Sequence, residues 1–267
     1  MKKLTITLIL ALFIVFAGES YSQQNTSKLT TKKLSTRKVP KYTISFLGGF
    51  SYVLSRANGD GRGFNAVYNS GGNGGNIFTA DNLGMQQGYG VMTVGKVAVG
   101  KNRKLRFTGN LGYNLFYNTY DNKQNRTLWN LINLGTGIEY NFAPKQKERL
   151  FVGYEINYSV MFGAWQSDIV YPDNSVSNIY TKFKPASRFG MAITTGMEFK
   201  LNRKMDMVVA LRGVWSNLFP KTNYESSEPY VAYINDSGDK NGIQLNGKKD
   251  ILFMQIVTGI TLPISYK

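Results

Sequence analysis

Residues 104–120 read KLRFTGNLGYNLFYNTY, and the way these residues alternate decides the fold. Leu105, Phe107, Leu111, Tyr113, Leu115 and Tyr117 occupy odd positions, whereas Arg106, Thr108, Asn110, Gly112 and Asn114 occupy even ones. A period of two is the signature of a β-strand with one apolar and one polar face. The run is longer than the five or six residues usual in globular sheets. A long strand with one dry face suits a membrane wall, provided the chain supplies enough similar strands to close a barrel and leave no backbone edge unpaired.

Working outward, seven more segments alternate in the same way. They are Lys41–Ser55, Gln87–Val99, Leu128–Phe142, Leu150–Phe162, Arg188–Phe199, Met205–Ser216 and Leu252–Ile264. Between them lie short basic turns at 100–103, 143–149 and 202–204, longer polar loops at 56–85, 166–186 and 219–248, and an intermediate connection at 121–126. An even strand number, with short turns at one end and long loops at the other, predicts an all-β, eight-stranded antiparallel up-and-down transmembrane β-barrel.

Ahead of the first strand, Met1-Lys2-Lys3 is followed by an apolar run, Leu4–Ala17, and then by small residues at Ser20 and Ser22. This reads as a signal peptide over 1–22. The apolar run is too short for a spanning helix. Residues 23–40 carry Lys28, Lys32, Lys33, Arg37 and Lys38 with no acid, and are expected to be a basic flexible arm before a barrel at 41–267.

The competing architecture is a secreted soluble barrel with its apolar face inward. The polar face argues against it, because it is built mainly from Gly, Asn, Ser, Thr and Ala rather than the Lys and Glu of a water-facing sheet. The apolar face is also too bulky for the interior, since eight strands leave a lumen only just wide enough for side chains. The signal peptide, the alternation and the loop lengths across 41–266 resemble the eight-stranded outer-membrane barrels of the OmpA, OmpX and PorT type, the last common among Bacteroidetes-like bacteria. That resemblance implies a bacterial outer-membrane protein with both termini in the periplasm, and a role as a surface or envelope interaction protein or as a small accessory subunit of a secretion or assembly complex. The alternative is a narrow passive channel for small solutes.

Charge sharpens the picture. The formal net charge is +16, and cleavage after Ser22 removes Lys2, Lys3 and Glu19 to leave +15. The three longer loops and the intermediate connection together carry no net charge, and strand residues Lys96, Arg106, Arg188, Arg212 and Lys249 balance Glu139, Glu155, Glu198, Asp206 and Asp250. The excess therefore falls on the arm and the short turns, at Lys28, Lys32, Lys33, Arg37, Lys38, Lys101, Arg103, Lys104, Arg203 and Lys204. Such a face suits inner-leaflet anionic lipid or an acidic periplasmic or outer-membrane protein partner. Arg106, Glu139, Glu155, Glu198 and Arg212 are expected in the lumen, paired with one another because an unpaired buried charge costs several kcal/mol.

Catalysis is not expected. The chain has no histidine and no cysteine, which removes the usual general base and the thiolate nucleophile. Gly71-Gly72-Asn73-Gly74-Gly75 lacks the Lys of a phosphate loop, and Asn58-Gly59-Asp60-Gly61 lacks the ligands of a calcium loop. No cofactor, metal or nucleic acid is expected.

Overall fold

In the computed structural model, residues 39–59, 77–78, 82–120, 125–170, 176–202, 204–221, 228, 230–237, 239–240, 243–244 and 248–265 are described. Residues 1–38, expected to be a signal peptide and a basic arm with Lys28, Lys32, Lys33, Arg37 and Lys38, lie outside them, as does the turn residue Arg203. No helix occurs among the described residues.

The strands are β1 (Tyr42–Val53), β2 (Ile77–Phe78), β3 (Gln87–Val99), β4 (Leu105–Tyr120), β5 (Asn125–Asn141), β6 (Glu148–Val170), β7 (Val176–Lys200), β8 (Asp206–Trp215), β9 (Val231–Ile234), β10 (Asp239–Lys240), β11 (Ile243–Gln244) and β12 (Leu252–Ser265). Eight of them form a ring. β1, β3, β4, β5, β6, β7, β8 and β12 pair antiparallel in chain order, and β12 returns to β1 from Tyr42↔Ser265 to Val53↔Phe253. Closure satisfies every edge, which is what a sheet in lipid requires.

The alternation holds around this ring. Phe107, Leu111, Tyr113 and Tyr117 of β4 face outward and exposed, while Arg106, Thr108, Asn110 and Asn114 are buried in the lumen. Glycines make room for the interior side chains. At Gly135 an added Cβ would stand 2.2 Å from Asn157 Oδ1 and 2.4 Å from Asn110 Nδ2, so two asparagines occupy the space a side chain would need.

One expectation needs correcting. Of residues 166–186, expected to be a loop, those at 166–170 continue β6 and those at 176–186 open β7. These strands run 23 and 25 residues, far beyond the roughly 9–11 that cross a bilayer. Past the lipid there is no apolar partner for the outward face, so alternation fades there while the backbone ladder persists. β8 leaves the ring at Trp215, and β9 joins β7 in parallel at Lys182↔Val231 and Phe183↔Ala232, with β2 alongside β9.

Candidate functional site

The lumen holds the chemistry-bearing side chains, arranged in layers. At the short-turn end, Lys96 of β3, Arg106 of β4, Glu139 of β5, Arg149 of β6, Glu198 of β7 and Asp206 of β8 each sit within a few residues of a strand terminus and point inward. Lys96 Nζ lies 2.9 Å from Glu139 and 3.0 Å from Glu198. The Arg106 guanidinium pairs with Glu139 and, at 3.0 Å, with Glu198. Arg149 bridges Glu198 at 3.2 Å and Asp206 at 2.6 Å. Three cations face three carboxylates, so the layer is neutral. Glu198 is its hub, fully buried and touched by all three cations.

The ring of Phe151 lies under this layer, with Lys96 Nζ 4.7 Å and the Arg106 guanidinium 6.0 Å from its centre. Phe151, Val208, Ala210 and Val257 form a small apolar cluster. Beyond it, farther from the short-turn end, sits a second polar layer. Arg212 donates to Glu155 at 2.7 Å and to Gln255 at 3.0 Å. Asn110 also donates to Glu155, and Gln255 donates to Ser51 and Asn114. A cavity of about 10 Å³ lies here, lined by Asn110, Asn114, Asn133, Arg212 and Gln255 among others. That is room for about one water molecule, not for a path.

Toward the long-loop end the lumen turns apolar. Phe116, Trp129, Met161 and Phe253 point inward from the wall and meet Leu83, Met85, Ala232, Ile234 and Ile251 from connecting segments. Trp129 stacks on Phe183 at 4.5 Å and donates its indole N–H to the Leu83 carbonyl at 2.7 Å. Thr127 donates to the next carbonyl, that of Gly84, whose φ of +61° is the left-handed turn glycine tolerates. Next to this plug, Asp236 is a second hub. It accepts two hydrogen bonds from Arg188, at 2.7 and 2.8 Å, and one each from Asn217 and the Lys221 amide. Asn217 also donates to the Lys249 carbonyl and accepts from the Ile251 amide, tying three connecting segments together.

The expected lumen residues therefore fall into two separate layers: Arg106, Glu139 and Glu198 in one, Glu155 and Arg212 in the other. Arg149, assigned from sequence to the turn 143–149, is instead the second residue of β6 and only 2% exposed. Asp236 and Asn217 gave no periodic signal, because both lie outside the strands. Among the basic rim residues, Lys101, Lys104 and Lys204 are exposed in the short turns. Arg103, at φ +50°, donates to the Val39 carbonyl and so ties the first described residues to the β3–β4 turn.

The outer wall completes the picture. Tyr42, Phe46, Phe50, Tyr89, Phe107, Leu111, Leu134, Ile138, Tyr154, Ile156, Phe189, Ile193 and Ile256 are all large, apolar or aromatic, and exposed around the ring. A soluble protein does not leave a continuous belt of that size in water. This is a transmembrane barrel.

No family model and no curated protein sequence matches the chain. Solved structures similar to it include Neisserial surface protein A, at 10% identity over 84% of this chain and 97% of that one, with a TM-score of 0.45. Ail, the attachment invasion locus protein of Yersinia pestis, has 8% identity over 83% and 99%, with a TM-score of 0.39. The outer membrane protein OprG from Pseudomonas aeruginosa has 10% identity over 84% and 96%, with a TM-score of 0.43. The barrel assignment stands on this chain's own strand pairing.

Among the described residues no group of three His, Cys, Asp or Glu side chains converges as a metal site.

Proposed function

We propose that the chain is an integral protein of a bacterial outer membrane that works by contact rather than by transport or catalysis. It acts as a surface or envelope interaction protein, or as a small accessory subunit of an outer-membrane secretion or assembly complex. The observation that carries this reading is the filled lumen. An ion layer, a polar layer and an apolar plug follow one another along it, and the described cavity between them is of about 10 Å³. With the inside occupied, the surfaces left for work are the two ends.

The same reading places the short-turn end, with both termini, in the periplasm, as short turns and termini lie in barrels of this kind. Lys28, Lys32, Lys33, Arg37, Lys38, Lys101, Arg103, Lys104, Arg203 and Lys204 then form a basic periplasmic face suited to an acidic partner. The absence of histidine and cysteine from the sequence supports a non-enzymatic role.

Gentle detergent extraction of tagged chain from its native membrane, with mass spectrometry of what accompanies it, tests the proposal. A stoichiometric companion surviving a salt wash is the result expected of a complex subunit. Recovery of the barrel alone supports the free-standing interaction protein, and recovery from a soluble fraction contradicts both.

A further inference from the structure

The basic rim at the short-turn end is not uniform. On one side of the ring its cations lie against the lipid-facing wall. Lys41 Nζ stands 5.2 Å over the ring of Tyr42, and Lys104 Nζ stands 6.0 Å over the ring of Tyr140, which in turn meets Phe142 edge-on at 5.1 Å. Tyr42, Tyr140 and Phe142 all face outward and exposed. Tyrosines at the end of a lipid-facing belt mark the level of the headgroups. An ammonium stacked over such a ring is held at that level rather than over the barrel mouth.

The backbone fixes these positions. The Lys41 amide donates to the Ser265 carbonyl at 2.7 Å, the Lys41 carbonyl accepts from Ala98 at 2.8 Å, and the Lys104 carbonyl accepts from Asn141 at 2.7 Å. β1 and β4 flank β3, so the two lysines are separated by two strand spacings, roughly 10 Å. The β3–β4 turn between them adds Lys101 and Arg103, the latter tied to Val39. No acid occurs in 39–41 or 99–105. Elsewhere on the rim, Lys145 and Lys147 adjoin Glu148, which pairs with Phe199 beside Lys200.

We propose that Lys41, Lys101, Arg103 and Lys104, seated above Tyr42 and Tyr140, form a binding site for the headgroup of an anionic phospholipid in the leaflet at the short-turn end. The site rests on the outer-membrane reading above and names a ligand for one part of the basic face. The cations supply phosphate-binding charge, the tyrosines set the depth, and the outward Val97 and Leu105, their register partners, lie beside them for the acyl chains. An acidic protein docking on the barrel mouth would need the charge on the end face, whereas two of these ammoniums lie against the wall.

The test uses the full chain in nanodiscs of phosphatidylethanolamine and phosphatidylglycerol, with native mass spectrometry counting the lipids retained. The triple variant Lys41→Gln, Lys101→Gln, Lys104→Gln is compared with a control of equal charge change, Lys145→Gln, Lys147→Gln, Lys204→Gln. All six residues lie at the rim, and the heat-dependent gel shift of a folded barrel verifies each variant. The parent chain should retain phosphatidylglycerol preferentially, the first variant should lose that preference by about fivefold per lysine, and the control should keep it. Equal losses in both variants, or loss in neither, would overturn the site. A parent chain that inserts but shows no preference contradicts the headgroup site alone. One that never inserts contradicts the outer-membrane reading as well.

Discussion

The two ends of the lumen are closed by opposite means. At the short-turn end, three cations and three carboxylates interlock around Glu198. At the long-loop end, Trp129, Phe116, Phe183 and Phe253 pack with chain segments that come from outside the ring. The ionic layer is built wholly from strand residues, so its geometry is fixed by barrel register. The apolar plug depends on connections folding back, so its geometry is fixed by packing. An ionic layer in a dry lumen gains little net stability when complete but loses much when one member goes. A packed plug loses stability in proportion to the volume removed.

The largest effect should therefore come from the ionic hub. Glu198→Ala leaves Lys96, Arg106 and Arg149 without their shared carboxylate and should cost about 5 kcal/mol, read as a lowered urea midpoint for the barrel in lipid vesicles. At the other end, Trp129→Ala removes the stack on Phe183 and the bond to Leu83, and should cost about 3–4 kcal/mol by the same measurement. A hub effect smaller than the Trp129 effect would reverse the comparison.

The intermediate layer offers a finer test. Gly135→Ala forces a Cβ into Asn110 and Asn157 and should destabilise by about 1–3 kcal/mol. Gly109→Ala, whose Cβ would meet nothing within 4 Å, should stay within about 0.5 kcal/mol of the parent. In the same layer, Glu155→Leu combined with Arg212→Met removes both partners of one ion pair. The double variant should lose less stability than either single one, because no charge is left stranded. The smallest effect should come from salt. Raising it to about 1 M, where screening acts within roughly 3 Å, should weaken binding at the exposed rim while the urea midpoint hardly moves.

How much of this was readable in sequence follows the same division. Alternation in Lys104–Tyr120 placed Arg106 inward and Tyr113 outward, and the ring of eight strands followed from repeating that reading along the chain. Arg149 escaped because it is the second residue of β6, and nothing in the sequence marks that the strand begins at Glu148 rather than at Leu150. The plug escaped for a different reason. In Leu115-Phe116-Tyr117 the parity of the strand turns Phe116 inward, but nothing local says what it meets there. Phe116 is buried because it meets Phe253 at 5.0 Å, a contact across 137 residues that no local pattern encodes. Asp236 is likewise buried by partners at 188 in β7 and at 217 and 221 in the segment after β8.

The central claim is that the lumen is closed, and single-channel recording from the full chain in planar bilayers tests it most directly. Insertion is verified by the gel shift of the recovered protein. The layered lumen predicts a quiet bilayer, with no steady openings from the inserted parent chain. Steady openings whose size changes with Arg212→Gln would contradict it, and would mean that the ions and rings described here stand aside to let solute pass.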